Sequence, residues 1–167
     1  MDQKNSVIIT MESGEMFEVG PDAMLGMASN SSRSLDLEFS TKDTYMALVR
    51  GAMYYMDVDR IDHLVVGLPV SSMDAMGMAL KKRLTGEHRI PNRPGSNSEG
   101  PFRTLEVRNV RVVPQPVGGM YDFGVRHGML KQLEGGNNLL IDPGYFTLDW
   151  VVTNGMKMVP VRSGAAN

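Results

Sequence analysis

The feature that most constrains the fold is an almost continuous apolar run at residues 63–70 (HLVVGLPV). The run does not alternate between polar and apolar positions, as a strand with one face in water would. Such a run predicts a strand that is buried on both faces, as in a sheet covered by helices. We expect Pro69 to mark the end of this strand.

Segments with helical spacing alternate with this and other β-rich runs. The clearest helix is expected to follow an N-cap at Thr41, and a second is expected to follow a cap at Ser71 or Ser72. A third helix is predicted over residues 117–133. Alternating strands and helices indicate an α/β architecture.

Several short β-rich runs complete the pattern. Residues 6–10 and 15–19 predict a hairpin, and residues 102–113 predict one or two strands. Residues 138–141 predict another buried strand, and Asn154-Gly155 is typical of a type I′ turn in a C-terminal hairpin. Residues 29–34, rich in Ser and Asn, predict an exposed loop.

Charge and hydropathy exclude several classes of protein. Lys and Arg number 17 and Asp and Glu 19, so the net charge is −2, which gives no general attraction for nucleic acid. No run approaches 18 apolar residues, and the N-terminus lacks the apolar core of a signal peptide. We expect a cytoplasmic protein without membrane contact.

Cysteine, histidine and methionine limit the chemistry further. The chain has no cysteine, which excludes disulfides, thiolate metal sites and thiol nucleophiles. Its three histidines are scattered and lack the spacing of a zinc site. The 15 methionines predict flexible core packing more than a methionine-lined binding surface.

The segment that carries chemistry is residues 138–152 (NLLIDPGYFTLDWVV). A buried strand ends at Asp142, a glycine-containing turn follows, and a second strand returns with Thr147 and Asp149. Backbone N–H groups in such a turn can bind an anion, and Mg²⁺ between Asp142 and a phosphate would remove their repulsion. Taken alone, an aspartate before a hairpin turn is more often an ordinary turn residue.

Four motifs, in order along the chain, resemble the actin, Hsp70 and sugar-kinase superfamily. Residues 142–149 resemble its second phosphate loop, Asp-x-Gly-x-x-Thr-x-Asp. Residues 64–70 are similar to the Gly-Leu-Pro strand of ParM/StbA-type bacterial actins, and residues 112–118 to their connecting segment, where Glu or Gln begins a linking helix. Residues 14–23 are similar to their Gly-x-x-Tyr-x-Val-Gly-x-x-Ala segment. The nearest group in pattern is the plasmid-partition actin-like proteins, including protein D of the plasmid PRTRC system.

The resemblance implies a partial actin-like (ribonuclease H-like) ATPase fold and a set of site residues. Asp142 would hold Mg²⁺ or its waters, and Gln115 would orient the attacking water. Gly144, Tyr145 and Phe146 would offer backbone N–H groups to the phosphates of ATP, and Thr147 would add a hydroxyl. Gln115 can equally be a polar helix start between two prolines, and for Asp149 we prefer a structural role in the hairpin.

The chain also departs from the superfamily pattern. Tyr145 and Phe146 stand where the usual loop has small residues, and no first phosphate loop precedes Ser6. We therefore expect a central piece of a longer protein that binds nucleotide poorly alone. Its parts would be 1–40, a hairpin and loop; 41–136, a core with the linking helix; and 137–167, the phosphate hairpin.

Two functions from different classes follow. The first is a filament-forming ATPase that partitions plasmids, with self-association and a plasmid adaptor protein as its contacts. The second is a non-catalytic assembly module that keeps the fold and binds partners through strand edges and methionine-rich faces. A sugar kinase is disfavoured, because no sugar-binding motif is evident.

Overall fold

The computed structural model describes residues 5–23, 38–95, 99–144 and 147–166. The described chain is a mixed α/β fold, as the alternation of segments predicts. Its helices are α1 (Asp43–Met56), α2 (Met73–Leu84), α3 (Gln115–Arg126) and α4 (Leu130–Gly135). Its strands are β1 (Val7–Thr10), β2 (Met16–Val19), β3 (Arg60–Leu68), β4 (Gly86–Pro91), β5 (Phe102–Pro114), β6 (Asn137–Pro143), β7 (Leu148–Asn154), β8 (Lys157–Met158) and β9 (Gly164–Ala166).

Three sheets organise the described strands. β1 and β2 form the predicted N-terminal antiparallel hairpin, with Val7 opposite Val19. In the second sheet β5 lies between β3 and β4, and in the third β6 pairs with β7, which also pairs with β8 and β9. Residues 102–113 therefore form one strand and not two.

The chain divides into two compact units, neither of them continuous in sequence. The first comprises residues 1–64 and 84–109, and the second comprises residues 65–83 and 110–167. The three parts predicted from the sequence concern subdomains of a longer protein, and that division stays a prediction.

In the first unit α1 packs against β1, β2 and β4. The buried apolar side chains include Ile9, Met53, Ile90 and Leu105. Arg50 is also buried and forms an ion pair with Glu12, which satisfies one edge of its guanidinium group. The methionines of α1 thus serve mainly as core, as composition predicts.

In the second unit α3 packs against β6 and β7. Met120 of α3 and Val151 and Thr153 of β7 are buried. The Thr153 hydroxyl lies 3.8 Å from the Met120 sulfur, so this face of the sheet is the one that α3 covers. No helix in the described part of the chain is long and apolar enough to cross a membrane.

Two local predictions are wrong at helix ends. The N-cap residue of α1 is Lys42 and not Thr41. Thr41 instead ends a short 3₁₀ turn, and its hydroxyl donates to the Glu38 carbonyl oxygen at 2.8 Å. The helix predicted over residues 117–133 is two helices, because Gly128 adopts a left-handed φ of 65° between α3 and α4. A left-handed glycine is a common helix terminator.

Two strands are less buried than their apolar sequences predict. In β3, which pairs only with β5 among the described strands, Val65 is 61% exposed. In β6, Leu139 and Ile141 are 63% and 61% exposed. Side chains alternate between the two faces of a strand, so Leu139 and Ile141 lie on the face opposite to that of Asn138. Asn138 pairs with Thr153, which contacts α3, so α3 covers the other face.

The predicted C-terminal hairpin is present, but the predicted type I′ turn is wrong. Asn154 pairs with Lys157, so Gly155 and Met156 are the central turn residues. Gly155 has a φ of 58°, whereas Met156 is not among the residues of positive φ. A type I′ turn requires positive φ at both central positions. The loop predicted over residues 29–34 lies outside the described residues.

Candidate functional site

A cavity of about 630 Å³ lies in the second unit between α3 and the edge strand β6. It holds two polar side chains that the sequence singles out, Gln115 and Asp142. The rest of its lining is mostly apolar: Pro116, Gly119, Met120, Phe123, Leu133, Asn138, Leu139, Leu140 and Ile141. Small-molecule sites typically have this volume, with a few polar groups among apolar walls.

Gln115 reaches the cavity as the first residue of α3. Pro114 is the extended N-cap residue, with φ −60° and ψ 132°, and a second proline occupies the first turn. Proline is well suited to the first turn because the N–H groups there have no partner inside the helix. The Gln115 side chain is exposed and lies against Gly67 of β3.

Asp142 occupies the penultimate position of β6, where its carboxylate is exposed. It stands directly opposite Asp149 of β7 in the antiparallel register. Directly opposed residues project from the same face of a sheet, so the two carboxylates are neighbours.

The turn after Asp142 is closed by its own backbone. The Gly144 N–H lies 2.8 Å from the Thr147 carbonyl oxygen and 3.1 Å from that of Asp142. This amide, which the resemblance assigns to phosphate, is therefore engaged within the turn. Thr147 is half-buried, and Tyr145 and Phe146 lie outside the described residues.

Asp149 is the buried carboxylate of the site, with 4% exposure. The Val70 backbone N–H donates to it, while its Oδ1 atom has no partner in the described part of the chain. Burial raises the pKa of Asp149, the nearby Asp142 raises it further, and the Val70 N–H opposes both. Val70 begins the 3₁₀ turn that follows β3, so Asp149 joins β7 to the end of the Gly-Leu-Pro segment.

Asn138 is a polar residue of the cavity that sequence reasoning missed. Its side-chain nitrogen lies 3.0 Å from the Leu133 carbonyl oxygen, 3.0 Å from Thr153 Oγ1 and 3.1 Å from the Gly155 carbonyl oxygen. These contacts join α4, β7 and the turn after β7 to the strand that carries Asp142. Its partners lie up to 17 residues away, so no local signal marks the role.

The donor set fits a hydrated magnesium ion. Mg²⁺ in proteins commonly uses one or two carboxylates and keeps several waters. The exposed Asp142 carboxylate offers one such ligand, whereas Asp149 beside it is buried. Over the described ranges no group of three or more His, Asp or Glu residues could hold a metal directly.

Comparison with known proteins gives one family and several similar solved structures. A family model described as the N-terminal domain of actin-like proteins matches residues 2–118. No curated protein sequence matches the chain.

Solved structures match almost the whole chain. An archaeal actin homolog, Ta0583, aligns with a TM-score of 0.65 and 20% identity over 99% of this chain and 51% of its own. The same homolog in complex with ADP aligns with a TM-score of 0.59 and 19% identity, over 96% of this chain and 49% of its own. The actin-like protein Alp7A aligns with a TM-score of 0.60 and 13% identity, over 98% of this chain and 46% of its own. The chain thus has the fold of half an actin-like protein and spans about half the length of these structures.

Proposed function

We propose that this chain, which belongs to the actin-like protein family, forms part of the nucleotide site of a filament-forming ATPase that segregates plasmids. The observation that carries the proposal is that Gln115 and Asp142 line the same cavity. They are 27 positions apart in the sequence and belong to different elements, a helix start and a strand end.

Phosphoryl transfer requires mainly charge neutralisation and a positioned nucleophile. Mg²⁺, when bound, would neutralise charge on the phosphates of ATP. Asp142 is the residue that would hold the ion through its waters, and the Thr147 hydroxyl would contact phosphate. Glutamine is not a base, but the Gln115 amide can accept a hydrogen bond from water and fix its direction.

The glycine turn has one requirement in this scheme. For the Gly144 N–H to serve a phosphate, it must leave the Thr147 carbonyl, to which it donates in this structure. Tyr145 and Phe146 would supply the remaining amides. Asp149 keeps a structural role, because its carboxylate is buried and accepts from the Val70 N–H.

Similarity to a structure that contains ADP supports the nucleotide. One matched structure is a complex of an archaeal actin homolog with ADP, and another is the actin-like protein Alp7A. The segregation role, the plasmid adaptor and the cytoplasmic location rest on the resemblance to plasmid-partition actin-like proteins.

The test measures Mg-ATP-dependent light scattering and phosphate release. Because the chain spans half the length of its matches, both this chain and the complete reading frame that encodes it are assayed. We expect Gln115→Ala to reduce phosphate release by about 100-fold while nucleotide binding persists. Asp142→Ala should instead weaken Mg²⁺-dependent nucleotide binding.

Matched controls are available on two helices of the same unit. Gln132→Ala and Asp122→Ala remove the same side chains from exposed positions on α4 and α3. Both should leave hydrolysis unchanged. Unchanged hydrolysis in Gln115→Ala and Asp142→Ala would refute the site assignment.

A non-catalytic assembly module is the second candidate. The exposed side chains of Leu139 and Ile141 on the edge strand β6 favour it, because unprotected apolar edges associate. In this case the complete protein would assemble without nucleotide, and Leu139→Lys would abolish assembly.

A further inference from the structure

A second groove lies in the second unit, between α2 and the C-terminal part of β5. Its volume is about 350 Å³. Met73, Met78 and Lys81 line it from α2, and Val110, Arg111 and Val112 line it from β5. None of these residues belongs to the candidate nucleotide site.

The lining of the groove is mainly apolar and adaptable. Met78 is 79% exposed, an unusual position for a large apolar side chain unless something covers it. Gly77 also lines the groove, and a Cβ atom there would meet nothing within 4 Å. Flexible methionine side chains are common in surfaces that bind apolar partner residues.

The lining of the groove also carries positive charge. Lys81 and Arg111 both line it, and no acidic residue does so within the described part of the chain. Across the same described residues, Arg111 forms no ion pair.

The dimensions suit a short helix. Met73, Gly77 and Lys81 are four residues apart and lie on one face of α2, so the groove runs for eight residues, or about 12 Å. That length corresponds to roughly two turns of a partner helix.

The geometry points to this groove as a docking site for an acidic amphipathic helix of a partner protein. The apolar face of that helix packs on Met73 and Met78, and its carboxylates pair with Lys81 and Arg111. Helix-in-groove recognition of this kind uses apolar anchors at helical spacing. The chain's net charge of −2 disfavours a nucleic acid as the occupant.

The experiment selects ligands without prior assumption. A phage library of random 16-residue peptides is selected on the full 167-residue chain, and enriched peptides are synthesised and titrated by fluorescence anisotropy. We expect enriched sequences to combine Asp or Glu with apolar residues at three- and four-residue spacing. Met78→Glu and Arg111→Glu should each weaken their binding by about tenfold.

Two variants serve as matched controls. Lys82→Glu makes the same kind of charge reversal on α2 outside the groove lining, and Met16→Glu replaces an exposed methionine of the first unit. Both should bind as the parent does, and all four variants should show the parent's thermal unfolding.

Three results would overturn the proposal. The first is that no peptides are enriched. The second is that Met78→Glu and Arg111→Glu leave peptide binding unchanged. The third is that Lys82→Glu weakens peptide binding as much as they do, which would indicate attraction of any polyanion or anionic membrane. None of them depends on ATP, so failure here is distinguishable from failure of the nucleotide site.

Discussion

Gly67 leaves no room for a side chain beside Gln115. A Cβ atom at position 67 would lie 2.7 Å from Gln115 Cγ and 3.4 Å from its Cα. The glycine of the Gly-Leu-Pro segment therefore sets the position of the glutamine that begins α3. A motif on β3 and a motif at the end of β5 meet at this contact.

The first prediction concerns that contact. Gly67→Ala should displace the Gln115 side chain and reduce phosphate release by the complete protein at least about tenfold, while the Kd for Mg-ATP changes little. Gly118→Ala is the control, because its Cβ would meet nothing within 4 Å. That variant should keep activity and gain about 1 kcal/mol of helix stability. Full activity in Gly67→Ala would disprove the positioning role.

The second prediction concerns Asn138. Asn138→Ala removes the donor to three acceptors and should lower the free energy of unfolding by about 2 kcal/mol. Thermal unfolding should then occur about 4–8 °C lower. Asn138→Asp should lower the free energy of unfolding further, because a carboxylate would face the same acceptors. The neighbouring exposed Asn137, replaced by alanine, should shift the midpoint by less than about 2 °C.

The third prediction concerns the buried charge of Asp149. A raised pKa means that folding favours the protonated carboxyl, so this group stabilises the fold below its unfolded pKa and loses that contribution as pH rises. At pH 7, Asp149→Asn should therefore raise stability by about 1 kcal/mol, measured by urea unfolding with EDTA present. Asp62→Asn, at an exposed position, should leave stability unchanged or slightly lower. A destabilised Asp149→Asn would show that the charge is needed by the fold.

The fourth prediction concerns pH and His88 in the first unit. His88 is buried, Nε2 lies 2.9 Å from the Leu84 carbonyl oxygen, and Nδ1 has no partner among the described atoms. The pKa of His88 is lowered, mainly by burial, and the hydrogen bond to the Leu84 carbonyl opposes this shift. The nearby charge of Arg50 lowers the pKa further, and that of Glu12 raises it. The unfolded chain then binds the proton more tightly, so stability is present above pH 6.5 and is lost as pH falls through the folded pKa.

Urea unfolding between pH 5 and 8 checks this sign. His88→Gln should flatten the pH dependence of the unfolding free energy, whatever its effect on the absolute value. His63→Gln, at an exposed position, should keep the parent slope. An unchanged slope in His88→Gln would contradict the assignment.

Local patterns predicted much of the fold, because hairpins and helices depend on short-range spacing. The N-terminal hairpin, the strand ending before Pro69 and the β6–β7 pair all follow from such spacing. Burial was harder, since it depends on which face a distant helix covers. Leu139 and Ile141 have the same apolar character as Leu140, yet α3 covers the face that carries Asn138.

For the site, the sequence singled out Gln115 and Asp142, and the structure brings both to one cavity. The roles of these residues stay predictions. Asn138 and the burial of Asp149 could not be found in the same way, because both arise from contacts with residues many positions away. The position of Gly67 against Gln115 likewise becomes visible only when β3 and the start of α3 are placed in space.

The discontinuity of the two units has a consequence for synthesis on the ribosome. The first unit is complete in sequence at residue 109, whereas the second requires residues up to 167. Residues 65–83 emerge before their partners in 110–167 exist, so α2 must wait for β5 to be finished. Folding during translation should therefore proceed in two steps, with the α1 core consolidated while the strand that carries Asp142 is still being made.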